Sequence, residues 1–302
     1  MPRIGETIGR FVLEHELGRG PMSEVYLGVE RASGWKVAVK VFLIEPGSRP
    51  ADHAHWANRM MREATAAAAF QSDSVVRVHE VAAHAGMPYL VRDFIEGKSL
   101  AEFVADRDKG AVERKVEWLR DLARTLAAIH HAGLVHRDVK PSNVLIRRDG
   151  ALRLLDFGVA RRSVDREAGL LGPTSDKLPS GTERLRVVGT PAYMAPERFS
   201  HQMTSPLADQ FGWGVLAYEL LAGHLPWGPP ADLRADARDA KRLRPIRMIE
   251  AILTETPPPV RTFAPKLAPA FDAVVARTMA KAQADRFPSM DDVLRAIEDA
   301  LR

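Results

Sequence analysis

Apolar and polar positions change rhythm once along this chain, near Gly97. Ahead of that point the apolar residues come in short runs divided by turn residues, from Phe11 to Ile44 and again from Val75 to Phe94. Within them Val37-Ala38-Val39-Lys40 reads as an alternating strand that ends on a cation. Between the two strand regions, from Pro50 to Phe70, a run of alanines predicts one helix. Beyond Gly97 the period becomes helical: Val116, Leu119, Leu122, Ala123, Leu126 and Ile129 fall on one face, and Phe211 to Leu221 carries another. Val293, Leu294, Ile297 and Leu301 repeat the spacing from Met290 onward, so this last helix reads as a domain edge. Short apolar runs at Asn143–Ile146 and Leu152–Leu155 read as strands set among the helices. The pattern predicts an α+β chain: residues 1–97 form a small antiparallel sheet lobe with one main helix, and residues 98–302 a larger, mostly helical lobe.

Composition narrows the partners. A chain of 302 residues with 46% apolar content has ample material for a core. A net charge of +4, with no dense Lys/Arg run, argues against nucleic acid as a partner. The Arg/Asp-rich run Ala231–Arg247 reads as a solvated helix face, with a docking surface as the alternative, and is assigned no role. The absence of cysteine excludes disulfides, thiolate zinc sites and a cysteine nucleophile, and fits a reducing compartment, with the cytoplasm as the default location. Met1–Arg10 lacks the apolar stretch of a signal peptide and no window offers 18 consecutive apolar residues, so no membrane partner is expected for the chain as given. Internal repeats and low-complexity tracts are absent.

One short stretch carries chemistry. His136-Arg137-Asp138-Val139-Lys140-Pro141-Ser142-Asn143 is followed shortly by Asp156-Phe157-Gly158. Moving a terminal phosphate to a hydroxyl needs a carboxylate to take the hydroxyl proton, oxygen ligands for magnesium, and cations for the spreading negative charge. Asp138 supplies the base, Asn143 and Asp156 the metal ligands, and Lys140 the cation beside the transferred group. Upstream, Leu17-Gly18-Arg19-Gly20-Pro21-Met22-Ser23-Glu24-Val25 reads as a turn between strands, where Gly18 and Gly20 let backbone amides approach phosphate. A glycine pair alone marks only a turn; Lys40 strengthens the reading because its ammonium can pair the inner phosphates of ATP. Glu63, in the predicted helix, is the natural partner for Lys40.

In this order the motifs resemble those of the eukaryotic-like serine/threonine protein kinases of bacteria, nearly end to end. The resemblance extends to Gly189-Thr190-Pro191-Ala192-Tyr193-Met194-Ala195-Pro196-Glu197, to Asp209-Gln210-Phe211-Gly212-Trp213-Gly214 and to Arg286 in Asp285-Arg286-Phe287-Pro288-Ser289. It implies the two-lobed kinase fold, with a Glu197–Arg286 pair and with Asp209 anchoring the catalytic loop as scaffold. It further implies ATP and Mg2+ as cofactors, with Mn2+ as the alternative ion, and protein serine or threonine hydroxyls as substrate. Leu17, Val25, Ala38 and Leu145 would stack around the adenine, and backbone groups of Asp93 and Ile95, in the hinge Asp93–Gly97, would meet its edge. Thr190 would be a substrate-loop hydroxyl near Asp138 and Lys140. Thr182 would be the activation-segment phosphosite, reached by self-association and trans-autophosphorylation and gripped, once phosphorylated, by Arg137.

Two departures stand out. Ser23 replaces the third glycine of the phosphate loop, and Arg92 occupies the position before the hinge that relatives fill with an apolar or small hydroxyl residue. A guanidinium there must pair, with Glu63 or Asp156 as candidates, or run its head to water. These departures, with the bulky Pro21-Met22, suggest an alternative: a pseudokinase or phospho-dependent scaffold that binds nucleotide and partners with little catalysis. The intact set Lys40, Glu63, Asp138, Asn143 and Asp156 speaks against it. A small-molecule phosphotransferase is a third reading, disfavoured by Gly189–Glu197, which shapes a groove for an extended peptide.

Overall fold

The computed structural model describes residues 2–20, 23–43, 61, 64–65, 68–106, 110–155, 191–200, 205–227 and 237–302. They divide into two compact units that meet in sequence between Glu96 and Gly97. Glu63, Pro21, Met22, Asp156, Thr182 and Thr190 lie outside the described residues.

The first unit is a six-stranded antiparallel sheet. Its strands are β1 (Thr7–Ile8), β2 (Phe11–Gly20), β3 (Ser23–Glu30), β4 (Lys36–Phe42), β5 (Val78–His84) and β6 (Met87–Asp93), in the order β1-β2-β3-β4-β6-β5. Strand alternation sorts the side chains onto two faces. Val37, Val39 and Val41 of β4 join Ile8, Phe11, Leu13, Tyr26, Tyr89 and Val91 in one apolar cluster. The opposite face carries Ala38 and Lys40, which stand across from Leu27 and Val25 on β3 and from Arg92 and Leu90 on β6. Ala85 and Gly86, at φ 48° and 79°, close the two-residue turn between β5 and β6, a left-handed pair that suits the twist of a tight hairpin. Of the expected helix, Met61, Ala64, Thr65 and Ala68 are described and helical, with the Thr65 hydroxyl donating to the Met61 carbonyl at 2.8 Å.

The second unit holds a three-stranded sheet of β7 (Gly97–Ser99), β8 (Val144–Arg147) and β9 (Leu152–Leu154). Its helices among the described residues are α1 (Leu100–Ala105), α2 (Val112–His131), α3 (Pro206–Ala222), α4 (Ala237–Thr254), α5 (Pro269–Thr278) and α6 (Met290–Ala300). Ser99 and Glu102 close a reciprocal capping box that starts α1. The predicted stripe of α2 is buried at all six positions, Val116 through Ile129. α3 starts on Pro206, ends on Gly223 in the left-handed conformation, and is buried from Ala208 through Tyr218, so it forms the core rod of the unit. Gly214 lets α5 close on it: a Cβ there would stand 2.3 Å from Thr278 Oγ1 and 2.7 Å from Met279 Cγ. Two expectations shift. Asn143 is not the first residue of a strand but the last of a 3-10 turn, Pro141–Asn143. Leu301 is exposed rather than part of the buried stripe of α6, because the helix ends at Ala300. No helix among the described residues is long and apolar enough to cross a membrane.

Candidate active site

The loop from His136 to Asn143 is set by a buried carboxylate beneath it. Asp209, on α3 and 1% exposed, accepts three hydrogen bonds: His136 N–H at 2.7 Å and His130 Nε2 at 2.9 Å on Oδ2, and Arg137 N–H at 2.6 Å on Oδ1. Arg137 has φ 68°, a left-handed conformation that costs a side-chain-bearing residue about 1–3 kcal/mol unless its surroundings fix it. Asp209 fixes its N–H, and Arg198 Nη1 donates to its carbonyl at 3.1 Å. The buried His136 ring completes the frame. Its Nδ1 accepts from Asp138 N–H at 3.3 Å and its Nε2 donates to Leu155 O at 2.8 Å, which assigns the proton to Nε2.

On this frame three of the predicted groups converge. Lys140 Nζ donates to Asp138 Oδ2 at 2.7 Å, and Asn143 Nδ2 donates to Asp138 O at 2.7 Å and to Oδ2 at 2.9 Å. The 3-10 turn aims Asn143 back at Asp138, which a strand beginning at Asn143 would not do. With its amide nitrogen committed, Asn143 offers Oδ1, a neutral hard oxygen of the kind magnesium accepts. Leu155, the residue before Asp156, donates from its N–H to Asn143 O at 2.8 Å, so the chain entering Asp156 is tied to the same loop. Leu145 follows on β8, half-buried and opposite Arg153 and Ser99.

The next described element is the turn Pro191–Tyr193. The Tyr193 hydroxyl donates to Glu219 Oε2 on α3. Burial pushes the Glu219 carboxyl above its usual range, and burial together with that carboxylate pushes the Tyr193 phenol up. Close by in sequence, Glu197 forms the expected pair with Arg286, both Nη atoms reaching its carboxylate at 2.8 Å in full burial.

In the first unit the predicted phosphate-loop residues share one hairpin, and Ala38, Lys40 and Arg92 share one sheet face. Leu17, Gly18, Arg19 and Gly20 end β2, Ser23, Glu24 and Val25 begin β3, and Gly18 and Gly20 pair with Val25 and Ser23. Leu17 is open to solvent. Arg19 clamps the hairpin through Glu16, at 3.0 and 2.8 Å, and Glu24, at 2.6 Å. The Glu24 carboxylate is fully buried and also accepts from Tyr26 Oη at 2.7 Å, so its side chain is committed inside the protein. Burial, helped by Glu24, pushes the Tyr26 phenol up to about 12. Lys40 lies 5.3 Å over the Phe42 ring. Arg92 is buried on β6, which rules out a head laid open to solvent; Glu63 and Asp156, its candidate partners, lie outside the described residues. Asp93 ends β6, and Ile95 follows in the connection to β7.

Pattern reading did not single out His130 or His136 as supports of the loop. His136 sits inside the motif itself, whereas His130 reaches Asp209 across 79 positions, a pairing with no local signal.

Comparison with known proteins agrees with this geometry. The chain is 34% identical over 299 residues to the serine/threonine-protein kinase PknH of Mycobacterium tuberculosis H37Rv, covering 99% of this chain and 43% of that protein. It is 33% identical over 311 residues to serine/threonine-protein kinase Pkn1 of Myxococcus xanthus, covering 99% and 39%. A probable serine/threonine-protein kinase of Streptomyces coelicolor, SCO3848, matches at 30% over 297 residues, covering 97% and 40%. The chain thus spans less than half the length of these curated relatives. The protein kinase domain family matches residues 11–296, and with the sheet unit, the helical unit and the Asp138 loop of that fold in place, the chain belongs to the protein kinase family.

Proposed function

We propose that this chain is a serine/threonine protein kinase that transfers the γ-phosphoryl group of Mg-ATP to protein hydroxyls, its own activation segment at Thr182 included. The observation that carries the reading is the convergence of Lys140 Nζ and Asn143 Nδ2 on Asp138 Oδ2, at 2.7 and 2.9 Å, over a loop held by Asp209. In this reading residues 1–97 supply all but Leu145 of the named nucleotide-binding residues. The Gly18–Val25 hairpin covers the phosphates, Lys40 held by Glu63 orients the inner ones, and backbone groups of Asp93 and Ile95 meet the adenine between Leu17, Val25, Ala38 and Leu145. Residues 98–302 hold the chemistry and the peptide.

Asp138 orients the incoming hydroxyl and takes its proton; Lys140, already at hydrogen-bond distance, offers positive charge as the phosphoryl group moves. Asn143 Oδ1 and Asp156 would hold a magnesium ion, which would supply positive charge against the phosphates. Thr190 would be the substrate-loop hydroxyl that meets Asp138 and Lys140. The relatives' names support serine and threonine as acceptors. Protein substrates and self-association for trans-autophosphorylation are part of the proposal, as is a cytoplasmic location.

The test is incubation of purified protein with Mg-ATP beside Lys40→Met and Asp138→Asn, with phosphate located by mass spectrometry. Phosphate at Thr182 or its neighbours in the wild type alone is expected, with ATP binding retained in Asp138→Asn. Near-normal turnover in Asp138→Asn would overturn the assignment of the base, and a folded wild type with no phosphate on itself or on a general protein substrate would favour the scaffold reading.

A further inference from the structure

The pairing of β5 with β6 slips by one residue at a single place. Val78 stands opposite Arg92, but Glu80 stands opposite Val91, so His79 is an extra residue with no partner in the ladder. Such a bulge bends the strand and re-aims the inserted side chain, which is why bulges recur beside functional groups. Here the ring is aimed at the end of β6: His79 Nε2 lies 2.6 Å from Asp93 Oδ1. The backbone of Asp93 is held from the same strand end, its N–H donating to Arg77 O at 3.0 Å.

The other side of the imidazole is not loose. Trp35, from the turn between β3 and β4, meets it edge-on at 4.8 Å and 80°. Trp35 in turn packs against Phe11 of the apolar cluster at 5.7 Å, and the Arg10 guanidinium, paired with Glu30, lies over both rings. The His79 side chain is 20% exposed and that of Asp93 41%, so the contact closes at the margin of the sheet rather than in free solvent. A chain of packed groups therefore runs from the sheet core through Trp35 and His79 to the last residue of β6, where the strand ends and the connection to β7 begins.

We propose that His79 is a positioning residue for nucleotide binding: through Asp93 it fixes the backbone that receives the adenine edge. The proposal rests on the reading of Asp93 and Ile95 as the adenine contacts. Its action is confined to the base, because nothing in this chain of contacts touches the phosphate hairpin or the Asp138 loop. The local signature is the one-residue insertion, which spends a ladder position to bring an imidazole to this carboxylate.

The experiment compares wild type, His79→Ala and His79→Gln, each as the whole chain, by calorimetric titration with adenosine and with inorganic tripolyphosphate, alongside steady-state kinetics in ATP. His79→Ala is expected to weaken adenosine binding and raise KM for ATP by about 3- to 10-fold, the scale of a partly exposed charged hydrogen bond, with kcat and tripolyphosphate affinity unchanged. His79→Gln, whose amide N–H can reach Asp93, is expected to recover most of the loss. If His79→Ala fails to fold, Asp93→Ala makes the same cut from the other side and is expected to weaken adenosine equally. Unchanged adenosine affinity in a folded His79→Ala, an equal loss of tripolyphosphate affinity, or no recovery with Gln would overturn the proposal. A wild type that binds tripolyphosphate but no adenosine would instead overturn the adenine reading beneath it.

Discussion

Arg286→Met cuts a buried, multiply hydrogen-bonded ion pair of the helical unit. Arg286 is 1% exposed and places all three guanidinium nitrogens: two on Glu197 at 2.8 Å, Nε on Ala280 O at 2.8 Å, and further bonds to Leu207 O at 3.0 Å and Lys281 O at 3.2 Å. Methionine keeps the unbranched stem but removes the guanidinium that lies 5.1 Å over the Phe211 ring, and it leaves Glu197, 6% exposed, without its cation and three carbonyls short of a donor. Breaking a buried pair from one side costs about 3–5 kcal/mol, and partial relaxation of the carbonyls toward water keeps the total near that figure. Against a domain stability of about 5–15 kcal/mol this is a large fraction. Urea unfolding followed by the fluorescence of Trp118, Trp213 and Trp227, all in this unit, reads it directly. The midpoint temperature should fall by about 6–20 °C. The cycle with Glu197→Gln sharpens the test: removing the second charge relieves the orphaned carboxylate, so the double variant should be more stable than the sum of the singles predicts. A loss below about 1 kcal/mol in Arg286→Met, or strict additivity in the cycle, would refute the claim that this pair locks the segment around Glu197 to the helices.

Asp209→Asn removes one acceptor from the Arg137 and His136 amides while keeping the size of the side chain. The left-handed Arg137 then loses part of what holds it, and turnover should drop about 10- to 100-fold, the equivalent of one lost charge-assisted hydrogen bond, with nucleotide affinity little changed; equal turnover in the variant would show that Asp209 only packs. Lys281 gives a pH signature. Its ammonium donates to Ile252 O at 2.6 Å and lies 4.3 Å over Trp227, yet burial pushes it down from 10.5 to about 8. Between those two values the unfolded chain holds a proton that the folded one has lost, so this group's contribution to stability grows as pH rises and disappears as pH falls through about 8. Discounted for its half-exposed setting, the gain of wild type over Lys281→Met should be about 1–2 kcal/mol from pH 7 to pH 10 by urea unfolding, and a flat difference would contradict it.

The α+β division and the turn to helical period near Gly97 were legible because amphipathic periods are local properties of the chain, and the stripe of α2 is buried residue for residue. The convergence of the loop residues was legible for a similar reason. Asp138, Lys140 and Asn143 lie within six positions, and the turn that unites them begins with a proline. Glu24 shows the limit. Its place in the glycine-bearing β2–β3 hairpin is plain from the sequence, but the burial of its carboxylate under Arg19 and Tyr26 depends on which strand face it occupies after the register shifts in β2.

The sequence by itself determined the order of elements, the family and the grouping of Asp138, Lys140 and Asn143 on one loop, because residue type and near spacing carry that information. Only the tertiary structure decided what holds those groups in place. Asp209 meets His130, His136 and Arg137 across more than 70 positions, Glu197 meets Arg286 across 89, and a one-residue slip in β5 turns His79 toward Asp93. Contacts of that range follow from packing and register, in which each element's position depends on all the others, and no local pattern records the outcome.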